Sequence, residues 1–356
     1  MKVNFLLNKA DASAAGLYFA TYPLYQNLIY KHNLDMQLTC VSFSDERLLD
    51  LDVWKGGDIV KLVTRKPCYV NAHKPCDVNH VHGLWGMHSL FASAKSSSVP
   101  TMISPHGMLD EWALRRSPIR KSIARYVYEE KLWRNSSVFH ALNSGEATSI
   151  KNVVPNARVE IIPNGVELHS YHPKPEGKIK LLYLGRVDEK KGISELLTWY
   201  MSLASSIKCR FELHIAGDGN NYIVDRIVKL CQAEDFLFYH GAVYGEKKNE
   251  LYRLCDVFVL PSFSEGLPMT VLEAWSFGLL TYISKACNLS DTYTHDFSRN
   301  VEPNSFSLNK MINDVLAVSK EDINSISCHS LDFVSKYYSW DVIAKQHNDI
   351  YRGICN

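Results

Sequence analysis

Ser264-Glu265-Gly266-Leu267-Pro268-Met269-Thr270-Val271-Leu272-Glu273-Ala274 follows the apolar run Asp256-Val257-Phe258-Val259-Leu260. The run reads as a buried strand and the stretch after it as a loop opening into a helix. Pro268 suits the first helical position, where a missing N–H costs nothing, and Gly278 suits the stop just past the last turn. Glu265 then lies in the strand-to-helix loop and Glu273 a little over one turn into the helix. The free amides at the helix start, with Gly266, Leu267 and Pro268 before them, form a ready phosphate site. An acid displaced along the helix from that site is placed to hold a ribose by its hydroxyls. Together these features suggest a nucleotide-sugar site. The competing reading is a surface loop acid and a helix-face glutamate in any α/β protein.

Working outward, β-rich runs alternate with helical stretches along the whole chain. Strand-like runs at 3–7, 37–43, 58–63, 78–81, 101–104, 137–142 and 158–162 are interspersed with helical segments at 16–31, 87–95, 119–133 and 144–151. The pattern restarts with strands at 180–184, 211–216, 236–239, 256–260 and 280–284, and helices at 193–204, 222–231, 247–254 and 269–277. Such alternation predicts parallel sheets with helices on both faces. The break at 163–177 is rich in turn formers. The expected fold class is α/β: two doubly wound Rossmann-like domains facing a central cleft. The expected domains are 1–165, joined by a C-terminal helix at 338–356, and 166–337. Ligands are expected at the C-terminal edges of the two sheets.

The totals fit this. A chain of 356 residues with 46% hydrophobic and 22% charged residues is long enough for two domains. A net charge of +1 gives no global case for nucleic acid. The nine cysteines are scattered, with no C-x-x-C pair, and read as buried reduced thiols rather than disulfides or zinc ligands. The short apolar run at the start reads as a first strand rather than a signal peptide, and no stretch approaches a membrane span. A cytoplasmic location is the expectation, compatible with the inner face of the plasma membrane.

Three further segments carry candidate chemistry. Gly185-Arg186-Val187-Asp188-Glu189-Lys190-Lys191-Gly192 is a second strand-to-helix loop, in which Arg186 and Lys191 can converge on a diphosphate, the one as a fork and the other as a point charge. There they would neutralise charge building on a departing nucleoside diphosphate; a solvated charged turn is the alternative. His106, in Ser104-Pro105-His106-Gly107-Met108, closes a strand of the first domain, placed to hydrogen-bond a sugar hydroxyl or support an acceptor, or else is structural. His80 and His82 alternate on one side of a strand without a carboxylate or cysteine partner, so a structural or acceptor-side role is favoured over a metal. Gly16, after Ala14-Ala15, is a weaker phosphate-loop candidate. The stretch 115–134 is basic and amphipathic. Its Arg115, Arg116, Arg120 and Lys121 suit either an anionic membrane surface or a solvated helix face.

In order and spacing these motifs resemble the retaining glycosyltransferases of family 4, of GT-B architecture, most strongly over 181–291. The resemblance rests on Gly185-Arg186 with Lys191-Gly192, Ala216-Gly217-Asp218-Gly219, His240-Gly241-Ala242-Val243 and Glu265-x7-Glu273. Ile162-Pro163-Asn164-Gly165-Val166 and Ser104-Pro105-His106-Gly107-Met108 also match. Cys287-Asn288-Leu289 looks like a subset that builds bacterial surface polysaccharides of the O-antigen, capsule or exopolysaccharide kind. The chain departs from the pattern at Ala14-Ala15-Gly16, Leu280 and Lys285-Ala286. The resemblance implies that Arg186 and Lys191 bind the donor diphosphate, Glu273 the ribose, Glu265 the transferred sugar and Val243 the base, with His106 beside the sugar. It implies a UDP- or GDP-sugar donor, a lipid-linked oligosaccharide acceptor and possible peripheral membrane contact. It implies no cofactor and no metal, and the net charge leaves nucleic acid out of the expected partners. Two rivals share the architecture: a nucleotide-sugar 2-epimerase and a non-catalytic nucleotide-sugar-binding subunit.

Overall fold

The structure is a computed structural model and describes residues 1–10, 16–42, 54–63, 75–95, 98–174 and 176–355. The chain divides into two compact units, 1–165 with 340–356, and 166–339.

The first unit holds β1 (Lys2–Leu7), α1 (Gly16–Tyr30), β2 (Asp35–Ser42), β3 (Asp58–Val63), β4 (Val78–His82), α2 (Met87–Lys95) and β5 (Thr101–Ser104). There follow α3 (Glu111–Arg115), α4 (Pro118–Ala124), a π-helical turn (Arg125–Glu129), α5 (Glu130–Asn135), β6 (Val138–Ala141), α6 (Ser144–Val153) and β7 (Val159–Ile161). The strands form one parallel sheet in the order β3-β2-β1-β4-β5-β6-β7. Its central strands are buried on both faces, as parallel strands covered by helices must be. The last helix of the chain, α14 (Trp340–Cys355), belongs to this unit and sinks Ile343, Ala344 and Tyr351 into its core.

The second unit holds β8 (Ile179–Leu184), α7 (Ile193–Ser202), α8 (Ser205–Lys208), β9 (Phe211–Ala216), α9 (Asn221–Cys231), β10 (Leu237–Tyr239) and α10 (Gly245–Leu254). It continues with β11 (Val257–Leu260), α11 (Met269–Ser276), β12 (Leu280–Ile283), β13 (Ser298–Asn300), α12 (Ser305–Ala317) and α13 (Lys320–Tyr337). Its parallel sheet runs β10-β9-β8-β11-β12-β13. In that doubly wound order the connections reverse direction between β8 and β11, and a crevice opens there beyond the carboxyl ends of the strands. The loops following β8 and β11 are those the sequence singles out.

Three features depart from the sequence reading. Pro268 is the N-cap rather than the first helical residue, because its ψ of 108° is extended and helical geometry starts at Met269. The basic stretch is not one amphipathic helix: Ser117 breaks it at φ 54° and the π-turn inserts at Arg125. Leu132 and Trp133 after the π-turn are buried, while Ile119, Ile123, Tyr126 and Val127 stand exposed. The thiols are mixed in environment. Cys40, Cys255 and Cys287 are buried, Cys209, Cys328 and Cys355 are exposed, and Cys68 lies outside the described residues.

Candidate functional site

In the second unit the loop 185–192 is braced from three sides. Tyr183 donates its hydroxyl to the Arg186 carbonyl at 3.0 Å, Val187 N–H donates to Asp218 O at 3.0 Å, and Phe263 N–H donates to Lys190 O at 2.8 Å. The last bond ties this loop to the one after β11. Two glycines are obligatory. Gly192 has a φ of 69°, and a Cβ there would strike the Pro261 carbonyl oxygen; Gly217 lies just as close to the Gly185 carbonyl. The two loops and the Gly217 turn pack backbone on backbone, which leaves their side chains to line the crevice.

Lys191 and Glu265 meet there. Lys191 Nζ donates to both carboxylate oxygens, at 2.5 and 2.6 Å, and Ser262 Oγ donates to Oε1 at 2.7 Å. The Glu265 side chain is only 7% exposed, so removing the lysine would strand a nearly buried charge. Asn288 follows β12 with a φ of 57° and donates its side-chain amide to the carbonyls of Glu265 and Gly266, at 2.8 and 2.9 Å. Arg186 is exposed and has no side-chain partner among the described residues. The crevice thus presents one guanidinium unengaged among the described residues and one ammonium shared with a carboxylate. An arriving phosphate can recruit both cations.

Glu273 sits four residues past the first residue of α11, about 6 Å along its axis. Its carboxylate accepts from Lys248 Nζ at 2.7 Å and from the Tyr252 hydroxyl at 2.9 Å, both on α10. Burial and the adjacent carboxylate push the Tyr252 hydroxyl well above its ordinary pKa, so it stays protonated and can donate to Glu273. Among the described residues no side chain caps the α11 amides, which leaves that helix start open to a ligand. Val243 and Leu267 are half-buried against the hydrophobic core. Gly16 opens α1, and among the described residues a Cβ added there would meet no atom within 4 Å; Ala14-Ala15 lie outside the described residues.

Lys248, Tyr252 and Asn288 were not found from the sequence as site residues. The i, i+4 spacing of Lys248 and Tyr252 on one face of α10 is the signal that was available for two of them. Asn288 acts through a left-handed turn that only the fold reveals.

In the first unit His106 follows β5, with a φ of 52°, and His82 ends β4. His82 Nδ1 lies 3.1 Å from His106 Nε2. Behind them a hydrogen-bond chain has a forced direction, because it ends on a carbonyl that only accepts. His140 Nε2–H donates to Ile162 O at 2.7 Å and Ser104 Oγ–H to His140 Nδ1 at 2.6 Å. His80 Nε2–H donates to Ser104 Oγ at 2.6 Å and Tyr351 O–H to His80 Nδ1 at 2.7 Å. The scheme needs neutral imidazoles, and burial among one another holds these rings neutral: His140 is lowered to about 4, and His80 and His82 fall well below their usual value. His80 and His82 are therefore interior groups of the unit. Among the described residues no group of three or more His, Cys, Asp or Glu side chains is arranged to hold a metal.

Of the basic residues, Arg115, Arg116 and Arg120 are exposed. Arg115 pairs with Glu111, and Arg116 lies 4.6 Å from the centroid of the Trp112 ring. Lys121 differs from the expectation of an outward charge. It is half-buried, its Nζ bonded to the Ala113 carbonyl, and burial together with Arg116 lowers its pKa.

Comparison with known proteins bears on both units. Residues 167–326 match the family model "Glycosyl transferases group 1", and residues 58–165 match "Glycosyl transferase 4-like domain". The two models together span about three quarters of the chain. Each unit thus carries a match to a glycosyltransferase domain model. Among curated members of such families, the chain is 25% identical over 213 residues to the GPI3 subunit of the Saccharomyces cerevisiae phosphatidylinositol N-acetylglucosaminyltransferase, covering 55% of this chain and 46% of that one. It is 26% identical over 209 residues to the O-antigen chain mannosyltransferase B of Escherichia coli, covering 56% and 51%. The chain spans about half the length of these curated relatives. Among solved structures, Anabaena HepE in complex with UDP superposes with a TM-score of 0.76 at 15% identity, covering 99% of this chain and 100% of that one. HepE has also been solved with UDP-glucose, where the TM-score is 0.72. The two Rossmann-like units are those of the GT-B fold. No helix among the described residues is long and apolar enough to cross a membrane.

Proposed function

We propose that the chain transfers a sugar from a UDP- or GDP-sugar to a lipid-linked glycan acceptor in the synthesis of cell-surface polysaccharide, with retention of anomeric configuration. The observation that carries this reading is the crevice between β8 and β11: the unengaged Arg186, the Lys191–Glu265 pair and the uncapped start of α11, with Glu273 one turn further on. Arg186 and Lys191 bind the diphosphate, the amides of α11 take a phosphate oxygen, and Val243 lies against the base. Glu273 takes the ribose hydroxyls, oriented by Lys248 and Tyr252. On diphosphate binding Lys191 leaves Glu265, which turns to the hydroxyls of the transferred sugar.

In the transfer, the bond from the anomeric carbon to the diphosphate breaks and a bond to the acceptor oxygen forms on the same face. The proton of the acceptor hydroxyl passes to the departing phosphate oxygen. Arg186 acts where charge grows on the leaving group, which is where electrostatic stabilisation accelerates a reaction.

Two observations support a lipid-linked acceptor. GPI3 carries phosphatidylinositol in its name. The exposed apolar row Ile119, Ile123, Tyr126 and Val127, flanked by Arg115, Arg116 and Arg120, has the make-up of a surface that settles into an anionic interface. The test is to incubate the protein with each nucleotide sugar and a lipid-linked oligosaccharide fraction. Nucleoside diphosphate release that depends on that fraction, with a product of the donor's anomeric configuration by NMR, is expected. Donor conversion without any acceptor, or an inverted product, overturns the reading.

A further inference from the structure

The His106–Gly107 turn is held in left-handed geometry, φ 52° and 76°, a conformation that costs a non-glycine residue about 1 kcal/mol or more. Two side chains hold it. Glu146, at the third position of α6, accepts the Gly107 N–H at 2.7 Å and the Leu142 N–H at 2.9 Å. His82 contacts the imidazole itself, Nδ1 to Nε2 at 3.1 Å, with the ring centroids 5.4 Å apart.

One proton lies between these two nitrogens, and the rest of the His82 ring decides whose it is. His82 is 1% exposed, its ring 4.4 Å from Phe5 and 3.8 Å from His80, centroid to centroid. Its Nε2 is buried with no hydrogen-bond partner among the described residues. A buried N–H without an acceptor is rarer and more costly than a buried lone pair without a donor. The proton of His82 therefore sits on Nδ1, where an acceptor waits. His106 Nε2 is that acceptor, so the single proton of a neutral His106 is on Nδ1. This nitrogen has no partner among the described residues, and the side chain is part-exposed at the carboxyl end of the sheet.

We infer that His82 is a positioning residue that locks His106 into its Nδ1–H tautomer, so that His106 meets a ligand as a neutral hydrogen-bond donor to a sugar hydroxyl oxygen. Its action on a sugar rests on the function proposed above. The titratable groups facing His106 are His82 from β4 and His140 from β6, with Glu146 from α6 engaged by the Gly107 amide and Asp110 beyond the turn. Burial and His140 lower His106 to about 3, which keeps the ring uncharged at neutral pH. A lone pair offered as general base is not part of this arrangement; Nε2 is already occupied.

The test is a long-range proton–nitrogen NMR correlation on the full chain with ¹⁵N-labelled histidine at pH 7.5, with the His106 signal identified by its loss in His106→Gln. The expected pattern is a protonated Nδ1 and a bare Nε2 on His106. A proton on Nε2, or an imidazolium, overturns the inference. His82→Asn, which returns an amide N–H near the position of Nδ1, should keep the tautomer. His82→Leu should release it and lower kcat by about tenfold with little change in donor KM, as for an interaction that matters most in the transition state. If His82→Leu fails to fold, the wild-type spectrum and His82→Asn still decide. The spectrum is read without turnover, so a protein inert toward every nucleotide sugar refutes the proposed function while the tautomer is still measured.

Discussion

Acidifying the protein to pH 5 should destabilise the first unit ahead of the second. Five histidines of this unit, His80, His82, His88, His140 and His347, are buried almost completely. Burial lowers each, to about 4 for His88 and His140 and well below the usual value for the other three. A group whose pKa is lower in the native state binds its proton in the unfolded state first. Stability from these rings is therefore full above about pH 6.5 and is lost as pH falls toward 4. Three carboxyls oppose the trend. Burial raises Glu129 to about 7 and also raises Glu146 and Asp110, so the native state takes up protons there on acidification. With His106, also lowered, to about 3, six protons against at most three leave a net release of about three or more, or roughly 4 kcal/mol lost per pH unit in this window. A drop from pH 6.5 to 5 then consumes about 4–8 kcal/mol, much of the stability of an ordinary domain. The assay is hydrogen exchange by mass spectrometry on the full chain between pH 7.5 and 4.5, corrected for intrinsic rates. Peptides from β4, β5 and β6 should lose protection at a higher pH than those from β8, β9 and β11. Equal protection of β4–β6 at pH 5 and 7.5, or unchanged acid sensitivity in His347→Leu, would refute the reasoning.

Other outcomes follow from the crevice and the exposed row. Lys191→Met should cost about 3–5 kcal/mol by stranding the Glu265 carboxylate, and Lys191→Met/Glu265→Gln should recover most of it; additive losses in urea unfolding would deny the coupling. Arg186→Ala should lower turnover by about a hundredfold or more while leaving stability unchanged, since its side chain has no partner to lose. Tyr252→Phe should weaken nucleotide binding by freeing one oxygen of Glu273, read by titration with UDP and GDP. Reversing Arg120 to Glu should lower affinity for anionic vesicles at least about fivefold in sedimentation assays, and Ile123→Glu should reduce it even on zwitterionic lipid.

The sequence was most readable where chemistry and local geometry coincide. Glu265 and Glu273 are separated by a loop and a helix start that neighbouring residues specify, so their placement beside β11 could be anticipated. Their partners could not, because Lys248, Tyr252 and Asn288 arrive through packing of α10 and the turn after β12. The short strand β13, Ser-Arg-Asn, carries no apolar alternation and is invisible to a periodicity argument, yet it completes the second sheet. Helix α12 was overlooked although Leu308, Met311, Ile312 and Val315 keep helical spacing and are buried. In the basic stretch the composition was legible, but the break at Ser117 and the π-turn at Arg125 are not marked by any apolar periodicity. The interior position of His80 depends on α14, more than 250 residues away in the chain, closing over it.

The central claim is that the crevice between β8 and β11 holds a nucleotide sugar through Arg186, Lys191 and Glu273. Titration calorimetry of the wild-type, Arg186→Ala and Glu273→Ala proteins against UDP- and GDP-sugars tests it most directly. Saturable binding of one nucleotide family by the wild type is expected, with at least about tenfold weaker binding by Glu273→Ala, the equivalent of one lost charge-assisted hydrogen bond. No binding of either family by the folded wild type, or an affinity that both substitutions leave untouched, would contradict it.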